Sequence, residues 1–474
     1  MMKKLIKTKS VCIAFAAVMF VGSFLTACSG RSQKEPAGTS AKNEGTASNV
    51  SGDINFDAYV DRVSELVTLN WPAMHKVWPG YDYTNHNFLI FYLDEEGAVK
   101  EAKLLNVNEN RALEKKEYEN ITPPNPEGYD QIQFQNKPSI VMSVDDTVME
   151  TENSVNELYK TATHEIVHFY YQKDVQASAD SSRSQMYPIE REPRILRRMI
   201  YTRLIQAFEN PDRQDEYLGK AKFWLDKYND EYKSEADRIR ATDIAEATAR
   251  YTENFGLFIG KNLSKGDLRK EADKRIRKEQ IFIAADKESY EIGYVAGLIL
   301  DEKDPNWKET FYVTGKGIPE VLLENRTPIS DEPDKEIVDR VAREIDRTNK
   351  DGKDKLKDVI AVKDDTGIPL LHLDVSQGSK SFYAESMYRY QNLSVMAGYS
   401  SKFNVKGKNI EIKNTAIISG YEEENQYIRI PLTMKYDIKD GILTIDSDHL
   451  KADGIQVKTS EEDGRTIYSA EIQD

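Results

Sequence analysis

The stretch Thr163-His164-Glu165-Ile166-Val167-His168-Phe169 constrains this chain more than any other part of its sequence. Residues four apart on an α-helix lie on one face, about one turn from each other. His164 and His168 can therefore turn both imidazoles toward one metal ion, and Glu165 projects from the same turn. The chain around them has 474 residues, 39% hydrophobic and 31% charged, which describes a soluble globular protein of two or three domains. Its net charge of −15 argues against nucleic acid as a partner, because phosphate contacts need clustered Lys and Arg.

The context of the motif is a strand followed by a helix. Ser139 to Val144 is short, apolar and β-branched, and a helix is predicted from about Ser154 to Gln172. Asn153 or Ser154 is its candidate cap, with Glu157 completing a capping box. Leu158, Ala162, Ile166, Phe169 and Tyr170 are its positions for burial.

In this order and spacing, His164-Glu165-x-x-His168 resembles the catalytic helix of the zincins, the zinc metalloproteases with an HExxH motif. The resemblance covers roughly residues 139 to 300. It implies hydrolysis of peptide bonds, Zn²⁺ as cofactor, His164 and His168 as ligands and Glu165 as general base. In the gluzincin branch the third ligand is a glutamate on a later helix followed by small residues. Glu246-Ala247-Thr248-Ala249-Arg250-Tyr251 is similar to such a segment, so Glu246 is the implied third ligand. Small residues around Glu246 also let a neighbouring helix approach closely. Asp243, three residues earlier, is the candidate acceptor for the spare ring N–H of a ligand histidine, or else a surface charge. Tyr290 and Tyr294 are the candidate phenols for an oxyanion, with core packing as the competing role for both. His75, His86, His372 and His449 have no partner at a readable spacing and are expected to be structural.

The N-terminus is a targeting segment. Lys3, Lys4, Lys7 and Lys9 precede an apolar run from Val11 to Leu25, which is shorter than the roughly 20 residues needed to cross a bilayer. Leu25-Thr26-Ala27-Cys28 resembles the lipobox of bacterial lipoprotein precursors. It implies removal of residues 1–27, lipidation of Cys28 and an anchored protein on the extracytoplasmic side of the cell envelope. Cys12 falls in the discarded segment, so the mature chain has no disulfide. Residues 28–53 are rich in Ser, Ala, Gly, Lys and Asn and read as a flexible tether.

The expected fold class is α+β. A zincin-like, mainly helical catalytic domain with a small N-terminal β-sheet is predicted over residues 54–350, and a small antiparallel β domain over 358–474. Helices are predicted at Phe56 to Leu69, Arg191 to Phe208, Gln214 to Tyr228, Glu231 to Phe258, Asp267 to Ala285, Ser289 to Leu300 and Asp331 to Asn349. Strands are predicted at Phe88 to Leu93 and Ala98 to Val107. Tyr118 to Lys137, Lys265-Gly266 and Asn349 to Lys357 read as irregular. Gly293 and Gly297 offer a flat strip for close helix packing. Two other readings compete with a peptidase: a zinc-binding surface lipoprotein that serves as a binding or adhesion module without turnover, and a helical scaffold whose histidines are core residues.

Overall fold

The computed structural model describes residues 55–173, 175, 185–283, 285–376, 382–422 and 425–472. The expected targeting segment at 1–27, Cys28 and the expected tether at 28–53 lie outside them. Among the described residues no helix is long and apolar enough to cross a membrane.

The protein mixes helices with two β-sheets. The first sheet has five strands, β1 (Asn87–Leu93), β2 (Val99–Leu105), β3 (Asn110–Ala112), β4 (Tyr129–Phe134) and β5 (Lys137–Val144), in the order β3-β2-β1-β5-β4. β1 and β5 are parallel and the other pairs antiparallel. The run from Phe88 to Leu93 is apolar at every residue, without alternation, because β1 is covered on both faces. Phe88 and Ile90 enter the main helical core, while Leu89, Phe91 and Leu93 pack with Leu104, Phe134 and Val141 on the other side.

β4 lies inside the segment expected to be an irregular loop. An edge strand can be polar, since it is held by backbone pairing to one neighbour. Its register is set by the two-residue turn Gln135-Asn136, with φ of 51° and 61°, which joins Phe134 to Lys137. Gln-Asn is a weaker signal for such a turn than Asn-Gly, so the strand is hard to read from composition.

The chain then enters the helices. The motif helix spans Ser154–Ile166 and continues as a π turn, Val167–Tyr171, where an unbroken α-helix was expected to Gln172. The expected capping box does not form: Asn153 is left-handed at φ 63° and makes no side-chain cap, and Glu157 pairs with Lys160. Long helices follow at Arg191–Glu209, Gln214–Glu231, Lys233–Gly256 and Ala285–Lys303. Lys265-Gly266, expected in a loop, opens the helix Lys265–Asp273, because Ser264 Oγ accepts from Asp267 N and caps it. That helix ends at Asp273 rather than near Ala285, and the irregular chain beyond buries Ile276 and Phe282.

The second sheet is C-terminal and mixed, where a purely antiparallel one was expected. Leu370–Asp374 runs parallel to Arg465–Glu471, and Gln185–Tyr187 from the helical part joins parallel to Ser386–Tyr390. Partners so distant in sequence are not joined by a hairpin, which is what would enforce antiparallel pairing. The expected linker at Asn349 to Lys357 is also helical. Lys335–Lys355 buries Val341 and Ile345, and the next helix, Lys357–Asp364, buries Val359 and Val362 beneath the second sheet. The Lys, Asp and Gly that suggested a linker include the solvated face of this helix, while Gly352 packs against the Tyr187 ring.

Candidate metal centre

The motif helix packs on the helix Lys233–Gly256, and this brings Glu246 to the two histidines. Glu246 Oε2 lies 3.2 Å from His164 Nε2 and 3.2 Å from His168 Nε2, and the two Nε2 atoms are 2.9 Å apart. His164 and Glu246 are buried, at 6% and 5% exposure, and His168 is half-buried. They are the cluster of possible metal ligands found among the described residues.

Both outer ring nitrogens are engaged. His164 Nδ1 donates to Glu253 Oε2 at 2.8 Å, since a carboxylate can only accept. His168 Nδ1 donates to Gln172 Oε1 at 2.7 Å. The orientation of that amide follows from its other end, where Nε2 donates to Ala245 O at 2.8 Å and to Thr248 Oγ1 at 2.6 Å. With both protons on Nδ1, each Nε2 presents a lone pair, and a carboxylate oxygen faces them. Three acceptors converging at about 3 Å repel one another unless a cation lies between them. The donor set of two imidazoles and one carboxylate is one that Zn²⁺ accepts while keeping a fourth position open.

A proton can serve as that cation, and the electrostatics show how strongly the site attracts one. Burial alone would lower the pKa of His164, but hydrogen bonds to Glu246 and Glu253 outweigh it and push His164 up to about 10. Glu253 is held below the usual carboxylate range: burial opposes this, and Arg250, His164 and Lys160 overcome it. Arg250 in turn bonds Glu291 at 3.0 Å, which ties the helix Ala285–Lys303 to the same network.

Glu165 is buried at 6% exposure, and its carboxylate has no hydrogen bond or ion pair among the described residues. The Tyr290 ring stands edge-on to the His164 ring at 5.7 Å between centroids. Tyr294 is fully buried, its hydroxyl donating to Ala272 O at 3.0 Å and its ring against Tyr251.

Asp243 is neither a histidine partner nor a free surface charge. It pairs with Arg197 at 2.6 Å and accepts from Ser289 Oγ at 2.6 Å. The acceptor for His164 is Glu253, seven residues after Glu246 and so two turns along the same face. Glu253 and Gln172 both escape a reading of the sequence centred on Asp243. Their signals are spacings alone, seven from Glu246 and four from His168. The helix Ala285–Lys303 approaches closely where Gly293 faces Ala247, and a Cβ at Gly293 would sit 3.0 Å from Ala247 Cα. His86, as expected of a structural residue, is buried and bonded to Pro138 O and the Tyr171 hydroxyl.

No protein-family model, curated protein or solved structure matches the chain.

Proposed function

We propose that this protein is a zinc-dependent peptidase of zincin-like fold, anchored to a bacterial cell envelope through lipid on Cys28 and acting on peptides or proteins outside the cytoplasm. The observation that carries the reading is the convergence of His164 Nε2, His168 Nε2 and Glu246 Oε2 around one point, with both Nδ1 atoms held as donors. The order of a mixed sheet, a motif helix and a later helix bearing Glu246 supports the zincin-like part. The lipobox-like Leu25-Thr26-Ala27-Cys28 supports the anchoring.

His164, His168 and Glu246 would hold Zn²⁺, with Glu253 and Gln172 orienting the two rings. Zinc, when bound, supplies a Lewis acid that brings the pKa of water down to about 7 and polarises a carbonyl. Glu165 takes the proton from the attacking water on its carboxylate and delivers it to the nitrogen of the leaving amine. Tyr290, whose ring stands edge-on to His164, would be the phenol that donates to the developing oxyanion. The hydroxyl of Tyr294 is already committed to Ala272 O.

Metal analysis of the purified mature chain, with peptide-mixture profiling, tests this. Near-stoichiometric zinc, lost in His168→Ala and Glu246→Ala, is expected, and absence of zinc under zinc-replete conditions overturns the reading. Glu165→Gln is expected to keep the metal and lose hydrolysis by at least about a hundredfold. Zinc binding with no cleavage by the wild-type chain would leave a binding module in place of a peptidase.

A further inference from the structure

The motif helix does not continue as an α-helix through His168. The Val167 N–H bonds His164 O, one residue short of the α-helical acceptor, Thr163 O. The Thr163 carbonyl takes the Tyr83 hydroxyl instead, at 2.7 Å, and Tyr83 is fully buried. Trp71 Nε1 donates to the Thr163 side chain at 3.3 Å, so the residue is held from two sides. A side chain that inserts into the helical ladder is a recognised cause of a break in it. The chain answers with the π turn at Val167–Tyr171.

A wider turn delays every later residue around the helix axis. His168 lies within that turn and Gln172 directly follows it. In this setting Gln172 reaches Ala245 O and Thr248 Oγ1 on the neighbouring helix and turns Oε1 to His168 Nδ1. Two clamps hold the outside of the turn: the Tyr170 hydroxyl on the Ser139 backbone, and the Tyr171 hydroxyl on His86. They press the turn against the sheet but do not touch the carbonyl at which it begins.

We infer that Tyr83 is a positioning residue for the metal centre: its hydroxyl on the Thr163 carbonyl holds the π turn in which His168 lies and from whose end Gln172 reaches His168 Nδ1. The ligand roles rest on the zinc reading above, whereas the turn is a property of the chain with or without metal. The two are therefore tested separately.

Tyr83→Phe removes the hydroxyl and keeps the ring that packs on Trp71 and Tyr171. Tyr294→Phe is the matched control, since it removes another buried hydroxyl from a backbone carbonyl, Ala272 O. The readouts are the zinc dissociation constant by chelator competition, and amide hydrogen exchange of the metal-free chain at Val167 to Gln172, referenced to Val155 to Ala162 on the same helix. Tyr83→Phe is expected to weaken zinc binding by about ten- to a hundredfold, as for loss of groups that orient ligands, and to accelerate exchange in the turn. Tyr294→Phe is expected to leave both at the wild-type level. Equal effects in the two variants, or wild-type values in Tyr83→Phe, overturn the inference. If the wild-type chain takes up no zinc, the peptidase reading fails alone and exchange decides: acceleration confined to Val167 to Gln172 supports the role of Tyr83, and unchanged exchange removes it.

Discussion

Glu253 Oε2 lies 2.8 Å from His164 Nδ1, two helical turns beyond Glu246 on the same helix. One rigid element thus supplies both a carboxylate facing the Nε2 side of His164 and the carboxylate that fixes its Nδ1 proton. Arg250 and Lys160 keep Glu253 ionised in a buried place, at the Arg250 bond and at 3.7 Å from Lys160. Glu253→Gln keeps the shape but removes the charge. It is expected to weaken zinc binding by about ten- to a hundredfold, read by competition with a chelator. An unchanged dissociation constant would separate Glu253 from the metal centre.

Asp243→Asn is expected to do the opposite. Its partner Arg197 is buried, with a side chain 4% exposed, and among the described residues keeps Glu288 as its ion-pair partner once Asp243 is neutral. Loss of one side of a buried pair costs about 3 kcal/mol. A lower midpoint in urea unfolding with an unchanged zinc dissociation constant is the expected result. Loss of zinc binding in a variant of wild-type stability would return Asp243 to the site.

Gly293→Ala tests the helix contact behind Glu246. The added methyl would press on Ala247, the residue next to Glu246, at a backbone-to-backbone approach that neither helix can relieve by rotating a side chain. Overpacking of this kind costs about 1–3 kcal/mol or more. Thermal unfolding should show the loss, and zinc affinity should fall with it because the strain is applied at Ala247. Full stability and full affinity in Gly293→Ala would mean that the two helices part enough to admit the methyl without cost.

His86 makes stability depend on pH. Burial lowers its pKa from 6.5 to about 4, against the opposing bond to Pro138 O. The folded state therefore disfavours the proton that the unfolded state binds below 6.5. Stability from this residue is complete above pH 6.5 and is lost as the pH falls toward 4, up to about 3 kcal/mol at ~1.4 kcal/mol per pH unit. Urea unfolding across that window should be less steep in pH for His86→Phe than for the wild-type chain. Identical slopes would count against a buried neutral His86.

Much of the local structure is legible because it depends on neighbours in sequence. Phe56, Val60, Val63 and Val67 recur at helical spacing and are all buried on one helix, Phe56–Asn70. The run at Phe88 marks a strand covered on both faces. His164, Glu165 and His168 share a helix segment since a spacing of four is a local property. Where composition was read as conformation, the reading fails. The charges of residues 349–357 cover a helix that packs on its other face, and the polar run Tyr129–Phe134 pairs as an edge strand.

The sequence by itself determined the pair of histidines with Glu165 between them, and the likeness of Glu246-Ala247-Thr248-Ala249-Arg250-Tyr251 to a gluzincin segment pointed to Glu246. Only the tertiary structure decided which groups face the outer ring nitrogens, because Glu253 and Gln172 are chosen by the packing of two helices and not by either alone. It also decided the π turn under His168. That turn depends on one hydroxyl, Tyr83, eighty residues earlier in the chain and reaching a helix carbonyl. A contact at that separation leaves no period or spacing in the sequence, since it is selected by burial and by the need of a buried carbonyl for a partner.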